Sequence, residues 1–104
     1  MQIVCSREGA TLRVALTGEI DQHFAAEARA KLDPLLGDGR IRRLIFDLSG
    51  VAFMDSSGVG MILGRYRKLT SFGGSMDITG AKAGVDRVLR MSGVYGLCTK
   101  GGGI

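Results

Sequence analysis

The hydrophobic period changes near residue 21, and the change marks where strands give way to a helix. Ile3 to Cys5 and Leu12 to Leu16 are short β-type runs, the second setting Leu12, Val14 and Leu16 against Thr11, Arg13 and Ala15. Arg7-Glu8-Gly9 between them offers a turn, so an opening hairpin is expected. From Asp21 the spacing is helical: Ala25, Ala28, Leu32, Leu35 and Leu36 share one face, and Asp21 or Gln22 stands where a helix is capped. Pro34 removes a backbone hydrogen bond from the last turn, so the helix is expected to kink there or to close with a distorted turn before Gly37-Asp38-Gly39. Leu44-Ile45-Phe46 with Leu48 is a nearly continuous apolar run, the pattern of a central strand covered on both faces.

Ser49 to Gly58 then reads as a loop delivering Asp55-Ser56-Ser57-Gly58 to a second helix, with Val59, Ile62, Leu63, Tyr66 and Leu69 on its inner face and Gly73-Gly74 after its end. Met76 and Ile78 mark a further strand. Val85, Val88 and Leu89 mark a third helix ending at Ser92-Gly93, and Gly96-Leu97-Cys98-Thr99 reads as a last strand. This order of strands and helices predicts an α/β layer with right-handed crossovers and helices packed on the sheet.

A chain of 104 residues, 45% hydrophobic and 23% charged with a single proline, has the composition of one packed domain, expected over residues 1–100 with a glycine-rich tail at 101–104. Its net charge of +4 is small, and its basic clusters, Arg40/Arg42/Arg43 and Arg65/Arg67/Lys68, lack interleaved aromatics, so direct nucleic-acid binding is not expected. Cys5 and Cys98 form no CxxC and have no histidine nearby; they read as reduced, buried side chains, and neither a metal nor a disulfide is expected. No signal peptide or membrane-spanning run is expected, which points to a cytoplasmic protein, monomeric by default.

Enzyme constellations are scarce. His23 is the only histidine and reads as a surface or capping residue, and no nucleophile, base and orienting group fall together. Gly58-Val59-Gly60 is too short for a dinucleotide fingerprint, with Leu63 where its third glycine would be, so no cofactor is expected and these glycines read as permitting close packing. Phe53-Met54-Asp55-Ser56-Ser57-Gly58 is the informative segment, since it sets two hydroxyls and a carboxylate at a helix N-terminus. Ser56 or Ser57 could cap the helix, Asp55 could complement its dipole, and Gly58 could relieve crowding. One cap needs only one hydroxyl, so the other serine is free to accept a phosphate beside unpaired backbone N–H groups and the positive end of the dipole.

The stretch Asp47-Leu48-Ser49-Gly50-Val51-Ala52-Phe53-Met54-Asp55-Ser56-Ser57-Gly58-Val59-Gly60-Met61-Ile62-Leu63-Gly64-Arg65-Tyr66 closely resembles the signature of STAS domains that act as anti-sigma factor antagonists, of the stage II sporulation AA type. Leu16-Thr17-Gly18-Glu19-Ile20-Asp21-Gln22-His23 is similar to the family's Leu-Thr-Gly-Glu-Leu-Asp segment, and Arg90-Met91-Ser92-Gly93-Val94 to its Met-Ser-Gly motif. The resemblance implies a STAS-type fold, a mixed and mainly parallel sheet of four or five strands with three helices packed against it.

It also implies a partner switch without catalysis by this chain. An anti-sigma factor that is also a serine kinase binds the unphosphorylated antagonist and releases the sigma factor; phosphorylation ends that binding, and a PPM-type serine phosphatase resets the cycle. The family's acceptor serine maps to Ser56, with Asp55, Ser57, Gly58, Val59 and Gly60 around it and Asp21 at the same partner surface. Val59 or Met61 would add apolar contact if one of them faced outward. Phe24 departs from the family, which carries a small hydroxyl residue there, and so does the stop soon after Cys98, where members continue into an amphipathic helix. A different use of the same module, in a stressosome-like assembly or as a transporter's regulatory domain, is the alternative.

Overall fold

The computed structural model describes residues 1–99. Its elements are β1 (Gln2–Glu8), β2 (Thr11–Ile20), α1 (Gln22–Leu36), β3 (Arg43–Met54), α2 (Ser56–Thr70), β4 (Ser75–Thr79) and α3 (Ala83–Ser92), followed by one 3-10 turn at Val94–Leu97. The sheet order is β1-β2-β3-β4, with β1 antiparallel to β2 and the other pairs parallel. This is the mixed, mainly parallel sheet with three helices that the resemblance implies. The tail expected at 101–104 lies outside the described residues.

Register explains the apolar pattern. Leu12, Leu44 and Met76 lie side by side across β2, β3 and β4, as do Val14, Phe46 and Ile78, and all six are buried. Phe24, Ala28 and Leu32 of α1, Met61, Ile62 and Leu69 of α2, and Val85 and Leu89 of α3 join them in one core. Alternate positions point the other way, where Arg13, Ile45 and Asp77 form a row. Asp77 is fully buried there and accepts hydrogen bonds from Arg43 Nη2 at 2.9 Å and from the Thr99 hydroxyl at 2.6 Å.

The structure corrects several sequence readings. The hairpin is longer than expected, and its turn falls at Gly9-Ala10 because Glu8 already pairs with Thr11. Cys5 is only half-buried, on the edge strand. The expected loop over Ser49–Gly58 is strand as far as Met54. Two register shifts, between Ala15 and Thr17 and between Gly18 and Glu19, give β3 extra residues, so its buried side chains fall at Leu48, Val51 and Met54 instead of every second position. Helix α1 does end at Leu36 with Pro34 inside its last turn, where the sequence placed it. The expected strand at Gly96–Thr99 is not one. Gly93, at φ +80, turns the chain out of α3, and the Tyr95 hydroxyl, donating to Asp86 Oδ1 at 2.7 Å, ties the 3-10 turn to that helix.

The inner face of α2 also differs. Met61 and Arg65 are buried, whereas Val59, Leu63 and Tyr66 are half-buried. Arg65 is therefore no part of a basic surface: its Nε lies 2.8 Å from Asp33 Oδ1 of α1, and its side chain is 6% exposed.

Candidate functional site

Parallel pairing of β2 with β3 brings two helix starts together. Ile20 and Met54 are register partners at the ends of their strands, and each is followed by an aspartate and a helix. Asp21 and Asp55 take almost the same backbone conformation, φ −103 with ψ −170 and −172, and the Asp55 N–H donates to the Ile20 carbonyl at 3.2 Å. Both are N-caps. Asp21 Oδ1 accepts the Phe24 N–H at 3.0 Å, and Asp55 Oδ1 accepts the Ser57 N–H at 2.8 Å. Phe24 itself is wholly buried, so a core side chain stands beside the first cap.

Asp55 settles what the serines do. Its side chain takes the Ser57 N–H and its carbonyl takes those of Gly58 and Val59, at 3.1 and 3.4 Å, so neither serine caps the helix. Ser56, the first residue of α2, is exposed, and its hydroxyl has no hydrogen-bond partner among the described residues. The expectation of unpaired N–H groups at this place narrows to that of Ser56 itself: Asp55 holds those of Ser57 and Gly58, and that of Val59 makes the first regular helical bond. Ser57 is half-buried one position on.

The glycines divide. A Cβ on Gly58 would stand 2.6 Å from Met54 Cγ and 2.9 Å from Ile20 Cγ2, so the bare position lets α2 press on the strand ends. On Gly60 it would meet nothing within 4 Å, so close packing inside the chain explains Gly58 and not Gly60. Of the two apolar neighbours expected to face outward, Met61 is fully buried and half-buried Val59 takes the role. Val59 lines an open groove of about 400 Å³ with the capping Asp55, with Ser56 of α2 and with Val88, Met91 and Ser92 of α3.

The model of the STAS domain matches residues 3–99 of this chain. The chain belongs to the STAS domain family. This STAS chain is 35% identical over 95 residues to the anti-sigma F factor antagonist of Paenibacillus polymyxa, covering 91% of this chain and 81% of that protein. It superposes on the unphosphorylated form of the anti-sigma factor antagonist SpoIIAA with a TM-score of 0.85 and 29% identity, over 94% of this chain and 86% of that one. On the phosphorylated form of the Bacillus cell fate determinant SpoIIAA the TM-score is 0.78 at 28% identity, over 94% and 89%.

The STAS fold thus gathers every residue singled out from the sequence, Asp21, Asp55, Ser56, Ser57, Gly58, Val59 and Gly60, at one end of the sheet. Sequence reasoning missed the α3 wall of the groove. Its signal was present: Val88 and Met91 lie three apart, on a stripe beside the buried pair Val85 and Leu89. Among the described residues, no group of three or more His, Cys, Asp and Glu could hold a metal ion, and no helix is long and apolar enough to cross a membrane.

Proposed function

We propose that this STAS protein is a cytoplasmic anti-sigma factor antagonist. Its unphosphorylated form binds an anti-sigma factor that is also a serine kinase and frees the sigma factor; phosphorylation of Ser56 ends that binding, and a PPM-type phosphatase restores it. The observation that carries the reading is the division of labour at the start of α2: Asp55 does the capping, which leaves the exposed Ser56 hydroxyl unbonded and available.

The physics of the switch is electrostatic. A phosphate brings roughly −1.5 to −2 charge to a surface already carrying Asp55, with Asp21 capping the adjacent helix, and burying it unpaired against a partner costs several kcal/mol. Each 1.4 kcal/mol is tenfold in affinity. The cap itself is untouched, so the fold survives while the complex does not.

Incubation with ATP and the anti-sigma factor of the same genome, read by intact-mass spectrometry and peptide mapping, is expected to add one phosphate to the peptide holding Asp55, Ser56 and Ser57. Ser56→Ala is expected to bind without being phosphorylated, and Ser56→Asp to bind about tenfold or more weakly. Phosphorylation of Ser56→Ala to the wild-type extent would move the acceptor to Ser57. The absence of both phosphate and binding would sink the reading.

A further inference from the structure

The two edges of the sheet differ. At β4 the Thr99 N–H donates to the Met76 carbonyl at 3.2 Å, so that edge is engaged. Along β1 no main chain lies on the outer side among the described residues. Glu8 and Thr11 flank the two-residue turn, so the main-chain groups of Glu8, Ser6, Val4 and Gln2 bond β2 and those of Ile3, Cys5 and Arg7 face outward. The Lys31 Nζ of α1, donating to the Ile3 carbonyl at 3.2 Å, agrees with that parity. Natural edges are blunted by charge, proline or a bulge. Here Ile3-Val4-Cys5-Ser6 carries no charge, β1 has no proline, its register with β2 is unbroken, and Val4 is 57% exposed. Lys31 guards one carbonyl, whose oxygen keeps a second lone pair.

Helix α1 follows the same edge. It runs antiparallel to β2, as the crossover to parallel β3 requires, and therefore in the direction of β1. Leu35 lies one turn beyond Lys31 on the same face of α1 and is 42% exposed. Four helical residues rise about 6 Å and two strand residues about 6.6 Å, so Leu35 falls level with Cys5, two residues beyond Ile3. Cys5 is the middle residue of β1.

We propose that β1 is an interface between two copies of this chain, joined antiparallel about a two-fold axis at Cys5 so that the two sheets become one. In that register Cys5 meets Cys5 of the second copy, Ile3 meets Arg7 and Gln2 meets Glu8, and the outward N–H and C=O groups are exchanged along the strand. No like charges fall opposite one another. Level with the axis, the two Leu35 side chains come together on the helix side and cover each other. This selects a second copy as the occupant: an extended segment of another protein would satisfy the main chain but would bring no second Leu35. Such an interface works largely through the backbone and leaves little trace in hydropathy, which is why the sequence reads as a monomer. Ser56 follows β3, two strands in from this edge, so pairing leaves both Ser56 surfaces open and is independent of the function proposed above.

The test is sedimentation equilibrium of wild type, Leu35→Glu and Cys5→Pro from micromolar to millimolar concentration. A proline at position 5 removes an outward N–H and no bond to β2. Wild type is expected to form a concentration-dependent dimer, with a dissociation constant raised about tenfold or more in both variants. Melting curves at micromolar concentration are expected to show Leu35→Glu folded like wild type. Amide exchange followed by NMR locates the contact: protection of the Ile3, Cys5 and Arg7 N–H groups is expected to rise with concentration, while Val4 and Ser6, bonded to β2, are protected throughout. A wild-type monomer at millimolar concentration overturns the proposal. So does a dimer that Leu35→Glu leaves intact, or one that protects none of those three amides. The Ser56 switch stands under each of these outcomes.

Discussion

At Gly58 a methyl group would stand 2.6 Å from Met54 Cγ, whereas two residues on, at Gly60, it would meet nothing within 4 Å. The two substitutions by alanine should therefore differ in sign. Gly58→Ala is expected to cost about 1–3 kcal/mol, because Ile20 and Met54 must shift. Gly60→Ala is expected to stabilise the free chain by up to about 1 kcal/mol through helix propensity while weakening partner binding. Urea midpoints at constant slope measure the first two effects, and a binding titration the third. Asp55 holds a cap and a charge at once, and these separate by substitution. Asp55→Ala is expected to lose about 1 kcal/mol, while Asp55→Asn, whose side-chain oxygen accepts the same Ser57 N–H, stays within a few tenths of wild type. Equal losses for the two would show that the charge, not the cap, stabilises α2.

Among the elements, α1 and α2 share a polar contact that periodicity does not disclose. Arg65 is buried beside Asp33, the pair closes to 2.8 Å, and burial holds the guanidinium below its usual pKa against the opposing pull of Asp33. Arg65 Nη1 is buried without a hydrogen-bond partner, so the pair is incompletely satisfied. Asp33→Ala is expected to cost about 3 kcal/mol by stranding the cation, and Arg65→Met combined with Asp33→Leu to recover most of it, since a well-packed apolar pair replaces a buried ionic one at little loss. A double-mutant cycle in urea checks this; additive single effects would show that the pair is not coupled. The spacing from Ile62 to Leu69 does place Arg65 on the inner stripe. What spacing does not show is the partner on another helix that makes a buried arginine tolerable, and so the residue reads as surface. The same limit governs β3, where Ser49 and Gly50 interrupt an apolar run and look like a loop until pairing with β2 through two bulges carries the strand on to Met54. At Gly96–Thr99 an extended-looking run yields to the 3-10 turn that Gly93 and the Tyr95–Asp86 bond impose. The starts of α1 and α2 were legible because an aspartate before an apolar-faced run is a local signal; the choice of Asp55 over its neighbouring serines as the cap was settled only by geometry.

For the molecule as a whole, the acids perturbed most are those whose neutral form the fold prefers. Burial, then the charge of Asp77, pushes the Cys98 thiol up to about 11 from 9.0, and burial also raises Cys5 and Tyr95. A raised pKa means that the folded state binds the proton more tightly, so the stability is intact below pH 9 and is lost as pH climbs toward 11. Melting temperature is expected to hold through neutral pH and fall across that window, less steeply in Cys98→Ala; a flat profile would contradict the burial of the thiol. Both thiols should also react slowly with iodoacetamide at pH 7.5, because the thiolate is scarce. The Asp55 cap has a further consequence for the time course of signalling. With the donors of Ser57, Gly58 and Val59 already engaged, those groups offer a phosphoryl group on Ser56 no grip. On the function proposed above, only the Ser56 N–H is left at the cap to hold the modified state, so the duration of the message would follow the relative amounts of the kinase and the phosphatase more than this chain.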